Sequence, residues 1–383
     1  MIVLDITKYF GPTTGGIRTY LLEKARYVAR RPGLRQVVVV PGSRDERRDE
    51  GATRWYLLRS PPIPFDRNYR FLLRARRVRE ILEAERPDLI EIGSPFLVPA
   101  VARWANRTLG APMVWFFHTN YPDIIAPPGR RHGWLLRQLR EQAWRRVVRM
   151  SRRFAATLVA SDSVAQALEA RGVTGVERVS LGVDLDLFEP GRRARRLATR
   201  ARYGLPEGPL ALFVGRLARE KQLDVLLEAW RTVGPEAGAT LLLVGTGRIP
   251  DPPPASGDAR WVRRLPYLSD RAGLADLHAA ADLYVAPGPA ETFCLSALEA
   301  MACGTPVLTV DAGGAADRVR ASGGGALYPP GDAASLSRAA IRLFASDLDA
   351  LGRRARAWAE RYHHWDTAFD RIFEVYRQVL GSR

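Results

Sequence analysis

The sequence is poor in cysteine and contains no long apolar run. Its two cysteines, Cys294 and Cys303, lie close together in an apolar, helix-like stretch. That context suits reduced core residues and argues against a disulfide framework or a zinc site. No apolar segment approaches the roughly 20 residues that a membrane-spanning helix needs, and the first residues lack the basic region of a cleavable signal. We therefore expect a cytoplasmic protein without a transmembrane anchor.

Lysine is also scarce. Only three of the 58 basic residues are lysine (Lys8, Lys24 and Lys221), so arginine carries almost all of the net charge of +17. A GC-rich coding sequence produces such a bias by itself, but a surface this basic also attracts nucleic acid, anionic lipid or anionic small molecules. A lysine that persists against this bias suggests a requirement for a compact ammonium group, which directs attention to Lys221.

The length of 383 residues fits two domains, and short β-branched runs alternate with amphipathic segments along nearly the whole chain. This alternation is typical of parallel sheets covered by helices, so the fold class is predicted to be α/β. A polar, arginine-dense segment at 182–200 separates two such series. A final helix at 366–380 has an apolar face that must dock on another element. The predicted strands are 2–6, 36–40, 89–92, 113–117, 157–160, 210–214, 240–244, 283–286 and 306–310.

The segment 215–221, GRLAREK, follows a predicted buried strand and opens a helix. Backbone N–H groups and the helix dipole favour a phosphate at such a position. Arg216 and Lys221 flank the turn and can hold a diphosphate from two sides, the arginine through a bidentate fork and the lysine as a point charge. On these residues alone, two solvated cations at a helix start are an equal alternative.

Two carboxylates eight residues apart follow another predicted strand. Glu291 lies in a tight loop, a helix is predicted to start near Phe293, and Glu299 lies nearly two turns into it. At about 1.5 Å per helical residue, the carboxylates are about 12 Å apart. That is about the length of a nucleoside diphosphate sugar, so one carboxylate can bind the sugar and the other the ribose. In the alternative interpretation Glu291 pairs only with the helix dipole, and Glu299 is a buried acid that needs a partner.

Two positions in the first half also point to ligand binding. Gly16 follows Gly15 between a strand and a helix, where the backbone can approach an anion or form an ordinary tight turn. His118 follows the apolar run 114–117, at the carboxyl end of a predicted strand, where open α/β sheets bind ligands. A structural histidine is the alternative there. The other four histidines lack such a context and are interpreted as structural or surface residues.

The motifs VGRLAREK at 214–221 and ETFCLSALEAMACGTPV at 291–307 resemble the retaining glycosyltransferases of family 4, which have the GT-B fold. A Gly-Gly-Ile loop, a histidine after WFF and GVDLDLF at 182–188 occur in the expected order. The resemblance implies two Rossmann-like domains with parallel sheets that face a cleft. Residues 1–185 would form the acceptor side, with the helix at 366–383 packed back on them, and residues 190–365 would bind the nucleotide sugar.

The resemblance also implies roles for individual residues. His118 would lie by the transferred sugar, Glu291 would bind sugar hydroxyls, and Arg216 and Lys221 would hold the diphosphate. The family usually carries glycine where this chain has Cys294, so a side chain here occupies space beside the sugar or phosphate. The implied donor-binding residues are Gly16, Arg216, Lys221, Glu291, Thr292, Phe293, Cys294, Leu295 and, for the ribose, Glu299.

No metal is predicted, because the D-x-D pattern Asp184-Leu185-Asp186 lies in the proposed linker. A basic stretch at 129–153 mixes nine arginines with tryptophans and aliphatic residues. It predicts either docking on anionic lipid at the inner face of the membrane or a domain helix whose apolar side faces its own core. No nucleic-acid recognition module accompanies the arginines, which argues against nucleic-acid binding.

We therefore predict a retaining, metal-independent glycosyltransferase that moves a hexose from a UDP- or GDP-linked sugar to a lipid, glycan or small-molecule acceptor. The nucleotide sugar is a co-substrate, so no cofactor is predicted. The alternatives are a sugar-nucleotide epimerase or a phosphorylase on the same fold, and a non-enzymatic basic binder of membrane or nucleic acid.

Overall fold

The structure is a computed structural model that describes residues 1–11, 15–64, 66–130, 132–247 and 260–382, with only the backbone of residues 66–68. In chain order the strands are β1 Ile2–Ile6, β2 Arg35–Gly42, β3 Glu46–Glu50, β4 Thr53–Arg59, β5 Pro62–Ile63, β6 Asp66–Arg70, β7 Leu89–Ile92, β8 Met113–Phe116, β9 Ala156–Val159, β10 Val176–Arg178, β11 Leu210–Val214, β12 Thr240–Val244, β13 Val262–Leu265, β14 Leu283–Ala286, β15 Val307–Val310 and β16 Gly325–Tyr328.

The helices surround these strands in the sequence. They are α1 Gly16–Ala29, α2 Ala75–Glu85, α3 Leu97–Ala105, α4 Tyr121–Ile125, α5 Trp134–Ser151, α6 Asp162–Glu169, α7 Arg196–Arg202, α8 Leu223–Ala237, α9 Arg271–Ala280, α10 Leu295–Ala302, α11 Gly313–Ser322, α12 Ala333–Phe344, α13 Leu348–Tyr362 and α14 Trp365–Gly381, with 3₁₀ turns at Pro190–Arg195 and Arg219–Lys221. None of the helices in the described residues is long and apolar enough to cross a membrane.

The chain divides into two compact units. The first contains Met1–Thr119, Trp144–Leu181 and Trp365–Arg383, and the second contains Asn120–Ala143 and Gly182–His364. The second unit thus includes residues 120–143, whereas the sequence predicts a first domain that spans residues 1–185. Contacts within that unit account for the difference, because Arg130 forms an ion pair with Asp224 and Gly129 packs directly against the backbone of Pro330.

The sheet of the first unit has the order β10-β9-β8-β7-β1-β2-β4-β3 in the described residues. Its neighbouring strands are parallel except for β3, which pairs antiparallel with β4. Helix α14 contacts α1 through a hydrogen bond from the Tyr27 hydroxyl to Asp370 at 2.6 Å. Phe369 of α14 is fully buried and lies against the rings of Tyr20 and Tyr27. The apolar face predicted for the last helix is therefore buried in this unit.

The sheet of the second unit is parallel throughout, with the order β13-β12-β11-β14-β15-β16 in the described residues. Its central strands are buried, and α8 and α12 cover one face. The prediction of α/β architecture with parallel sheets is confirmed in both units. The order reverses beside β11, since β12 lies on one side of it and β14 on the other. Such a reversal opens a crevice at the carboxyl ends of the strands.

Candidate active site

The carboxyl ends of β11 and β14 lead into the two segments that carry the predicted phosphate-binding residues. Residues 215–221 follow β11, and residues 287–294 follow β14. Because β11 and β14 are adjacent in the sheet, these segments meet at its carboxyl edge. The sheet topology of the second unit therefore brings together residues about 70 positions apart in the sequence.

Lys221 and Glu291 are in direct contact at this edge. The Lys221 ammonium donates a hydrogen bond to the Glu291 carboxylate, and both side chains are partly buried. Burial by itself would lower the pKa of Lys221, but the neighbouring carboxylate raises it above its usual value. The loop after β14 packs closely against the turn that carries the lysine, since a Cβ at Gly288 would lie in van der Waals contact with the Lys221 Cα at 3.4 Å. The lysine is thus held, charged, beside a sugar-binding candidate.

Arg216 lies in the same segment but contacts a different acid. Its guanidinium forms an ion pair with Glu220, four residues later. Arg216 and Lys221 therefore sit on one turn, as the sequence predicted, and each has its own carboxylate partner. An anion that binds here meets two cations whose charges are already partly balanced.

Helix α10 begins at Leu295, two residues later than predicted, and Cys294 is its N-terminal cap. Cys294 has a left-handed backbone, with φ of 65°. A side chain is unfavourable in this conformation, whereas glycine adopts it freely. The late start also corrects the predicted separation of the two carboxylates. Glu291 and the residues up to Cys294 form a loop, so the rise of 1.5 Å per residue does not apply between Glu291 and Glu299.

The N-terminus of α11 holds the loop before α10 in place. The Gly314 N–H donates to the Glu291 carbonyl at 2.9 Å. Gly313 has a left-handed φ of 71°, and a Cβ there would lie 2.5 Å from the same carbonyl oxygen. Gly313 is therefore required for this close approach, and the Gly314 N–H fixes the backbone that carries the Glu291 side chain.

Glu299 lies on α10 with only 13% of its side chain exposed. Burial raises the pKa of this carboxyl to about 7, although Arg271 opposes the increase. His278 Nε2 on α9 lies 3.7 Å from a carboxylate oxygen of Glu299. His278 is fully buried, and burial lowers its pKa to about 3, so the imidazole is neutral. The sequence offers no sign of this proximity, which arises because α9 packs against α10.

His118 follows β8 in the first unit. Its ring stacks on Phe116 with centroids 3.8 Å apart and meets the edge of Tyr20 at 5.2 Å. Burial lowers the pKa of His118 to about 4, although the Glu91 carboxylate opposes this, so the imidazole is neutral at physiological pH. Gly16 is the first residue of α1 and is exposed. As the sequence predicts, Gly16 lies at the start of a helix and His118 lies just beyond the carboxyl end of a strand.

The D-x-D pattern forms a local turn. A carboxylate oxygen of Asp184 accepts a hydrogen bond from the Leu187 N–H at 3.0 Å. Within the described ranges, no group of three or more His, Cys, Asp or Glu residues is placed to hold a metal ion. Independence from metals remains a prediction. Cys294 and Cys303 are both free thiols.

Comparison with protein families identifies both halves of the chain. The family model described as Glycosyltransferase Family 4 matches residues 14–187, and the model described as Glycosyl transferases group 1 matches residues 208–346. The chain is 31% identical over 335 residues to a GDP-mannose-dependent alpha-(1-6)-phosphatidylinositol dimannoside mannosyltransferase from Mycobacterium tuberculosis, covering 83% of this chain and 84% of that protein. The chain belongs to glycosyltransferase family 4. The predicted family and enzyme class are thereby confirmed.

Other matches agree with this glycosyltransferase assignment. A GDP-mannose-dependent alpha-mannosyltransferase from Mycobacterium tuberculosis is 28% identical over 396 residues, covering 100% of this chain and 97% of that protein. Among solved structures, a sucrose-phosphate synthase from Thermosynechococcus elongatus superposes with a TM-score of 0.75 at 22% identity over the full length of both chains. Anabaena HepE, solved with UDP-glucose, has a TM-score of 0.74 at 20% identity, covering 99% of this chain and 100% of that one. The glycosyltransferase therefore has the GT-B fold, as predicted.

Proposed function

We propose that this glycosyltransferase transfers a hexose from a nucleotide diphosphate sugar, with retention of anomeric configuration and without a metal ion. The observation that carries the proposal is the contact between Lys221 and Glu291 beside the N-terminus of α10, at the carboxyl ends of β11 and β14. The site offers a cation and helical N–H groups for a diphosphate, and a carboxylate for sugar hydroxyls. GDP-mannose is the first donor to test, because the names of two relatives specify it.

The proposed chemistry depends on stabilising the leaving group. As the bond between the anomeric carbon and the diphosphate oxygen breaks, negative charge grows on the phosphate. Lys221, Arg216 and the first N–H groups of α10 stabilise that charge in place of a metal. The acceptor hydroxyl attacks the oxocarbenium-like carbon from the face that the diphosphate leaves, and its proton passes to the departing phosphate oxygen. The roles implied for Gly16 and His118 remain predictions from the family resemblance.

Calorimetric titration with GDP, UDP and ADP, each at physiological salt and with EDTA, tests the donor site. We expect one diphosphate to bind selectively, equally well in EDTA, and more weakly to Glu299→Ala. The matched control is Glu228→Ala on the exposed surface of α8, which leaves binding unchanged. Absence of selective binding would overturn the proposed donor site. Product analysis then separates transfer from the alternatives, since an epimerase or a phosphorylase converts sugar without a separate acceptor.

We further propose that this enzyme acts on a lipid acceptor and contacts anionic membrane through the first half of α5. The two halves of α5 differ in burial. Trp134 is 70% exposed and Leu135 56%, whereas Trp144 and Val147 in the second half are buried. The second half therefore matches the alternative of a core-facing helix, and only the first half presents apolar side chains beside an exposed arginine, Arg137. The name of one relative, which specifies a phosphatidylinositol dimannoside, supports a lipid acceptor.

Vesicle sedimentation tests this contact. We expect the protein to sediment with vesicles of anionic phospholipid and not with purely zwitterionic ones, and Trp134→Asp with Leu135→Asp to abolish most of the binding. Leu197→Asp on α7 is the matched control, because Leu197 is also an exposed apolar side chain. Equal loss in the control, or no loss in the double variant, would contradict the assignment to α5.

A further inference from the structure

Arg318 on α11 is a buried arginine to which the proposed chemistry gives no role. Only 3% of its surface is exposed, and its guanidinium lies over the Phe293 ring at 4.0 Å from the centroid. Its Nη2 donates to the carbonyl oxygens of Phe293 and Cys294, the second at 3.2 Å. The arginine therefore touches the backbone of the loop that leads into α10, immediately before the first helical residue.

Among the described residues, no acid contacts the Arg318 guanidinium directly, although the charges of Asp317 and Glu291 favour its protonated form. In the part of the chain that the structure describes, it forms no ion pair with Asp or Glu, and its Nε is inaccessible to solvent and has no acceptor. Burial lowers its pKa to about 10, so the group still carries its charge at neutral pH. A buried cation without a directly paired acid is unfavourable unless something further compensates its charge. A bound anion close to the same loop would do so.

The contacts of Arg318 also determine which way the loop N–H groups point. In a trans peptide unit the C=O and N–H bonds point in opposite directions. The Phe293 carbonyl belongs to the same peptide unit as the Cys294 N–H, and the Cys294 carbonyl to that of the Leu295 N–H. Arg318 binds the Phe293 carbonyl from the side of α11, so the Cys294 N–H points away from it. The Cys294 carbonyl also accepts hydrogen bonds from the Ala297 and Leu298 N–H groups at 3.2 and 3.4 Å, so Arg318 and the first turn of α10 together orient the Leu295 N–H away from α11. No carbonyl within α10 can accept these N–H groups, because they precede the first full turn.

We propose that Arg318 is a positioning residue for the donor diphosphate: it orients the N–H groups of Cys294 and Leu295 toward the phosphates and supplies a buried positive charge that the diphosphate balances. The inference rests on the proposed function, because it requires a nucleoside diphosphate at the N-terminus of α10. It adds a residue outside the E-x7-E motif, contributed by a neighbouring helix that contacts the loop from behind.

Calorimetry with GDP and with GMP, on the wild type and on Arg318→Met, tests the inference. UDP and UMP replace them if the wild type selects uridine. We expect Arg318→Met to lower the affinity for the diphosphate at least tenfold more than that for the monophosphate, because the oriented N–H groups and the charge act on the diphosphate. The matched control is Arg320→Met on the same helix, an exposed arginine paired with Asp311 and Asp317. It should leave both affinities unchanged.

The outcomes separate this inference from the function on which it rests. If the wild type binds no nucleoside diphosphate, the proposed function fails and the inference fails with it. If the wild type binds but Arg318→Met binds equally well, or loses both ligands equally, the positioning role is overturned while the function stands. If Arg318→Met does not fold, Arg318→Lys decides, since a lysine keeps the charge but lacks the planar guanidinium that lies over the Phe293 ring while its Nη2 contacts both carbonyls. Wild-type diphosphate affinity in that variant would overturn the inference.

Discussion

Lys221 and Glu291 pair with each other at the carboxyl edge of the second sheet, 70 residues apart in the sequence. Each therefore neutralises the other in the absence of a ligand. A diphosphate that binds beside Lys221 must share the ammonium with Glu291, and its own charges are repelled by that carboxylate. The pair thus limits affinity for the free diphosphate while holding both groups in position for a sugar donor.

Removing the charge of Lys221 and removing that of Glu291 should have opposite effects on diphosphate binding. We expect Lys221→Met to lower affinity for the nucleoside diphosphate by about tenfold or more, because it removes a charge-assisted contact worth about 1.5–3 kcal/mol. Glu291→Gln should keep or raise that affinity, since it removes a like charge, yet lower turnover at least tenfold if it binds the sugar. Titration and steady-state assays measure both effects. Arg231→Met on α8 is the control and should change neither affinity nor turnover. Weaker diphosphate binding by Glu291→Gln would contradict this account.

His118 is expected to affect turnover far more than donor binding. We predict that His118→Ala lowers kcat by at least tenfold and changes diphosphate affinity by less than threefold. Because burial lowers its pKa to about 4, the ring stays neutral from pH 5 to 8 and contributes no titration to the rate profile there. The exposed His364 provides the control, as His364→Ala should change neither quantity. Equal losses in turnover and affinity would make His118 a structural residue.

The parts of the fold that sequence reasoning located are those with nearly continuous apolar runs. The central parallel strands, such as β1 and β11, were predicted to within one or two residues because both of their faces are buried. The strand β3 escaped notice, because its sequence ERRDE is wholly charged and it pairs antiparallel at the sheet edge. Strand β13, with the sequence VRRL, also lies at a sheet edge and has two charged residues at its centre, although it pairs parallel with β12.

The residues of the candidate site also fall into those that the sequence predicts and those that it does not. Lys221, Glu291 and Glu299 were accessible from the sequence because their chemistry appears as motif spacing beside strand ends. His278 and Arg318 were not, since each depends on how a helix from elsewhere in the chain packs against α10 or its preceding loop. The start of α10 was misplaced by two residues because the left-handed backbone at Cys294 follows from the loop contacts with α11 and not from residue preferences.

We expect position 294 to accept glycine without loss of stability, whereas a β-branched side chain there should destabilise the protein. A non-glycine residue at φ of 65° costs about 1–2 kcal/mol, and a β-branched one costs more. We expect Cys294→Gly to change the free energy of unfolding by less than about 1 kcal/mol, as relief of strain offsets the lost thiol packing, and Cys294→Val to destabilise by about 2 kcal/mol or more. Denaturant unfolding measures both, with Cys303→Ala as the control for loss of a thiol. A valine variant as stable as the wild type would show that the left-handed backbone at position 294 is not strained.

Glu299 gives the protein a stability that depends on pH. Burial raises its pKa to about 7, so between about pH 4.5 and 7 the folded state binds its proton more tightly than the unfolded state does. The free energy of unfolding therefore falls as pH rises through this window. Glutamine cannot ionise, and we expect the stability of Glu299→Gln relative to wild type to increase by about 2 kcal/mol from pH 5 to pH 8.

Nucleotide binding should follow the opposite pH dependence. An ionised carboxylate is the better acceptor for ribose hydroxyls, so wild-type affinity for the diphosphate should rise from pH 6 to pH 8. His278 stays neutral throughout this range, while Arg271 favours and Asp184 opposes ionisation of Glu299. Glu299→Gln should bind about tenfold more weakly at pH 8 and lack this pH dependence, whereas Glu228→Gln should match wild type. A wild-type affinity that falls over this range, with a parallel fall in the glutamine variant, would place the titrating group elsewhere and remove Glu299 from the ribose site.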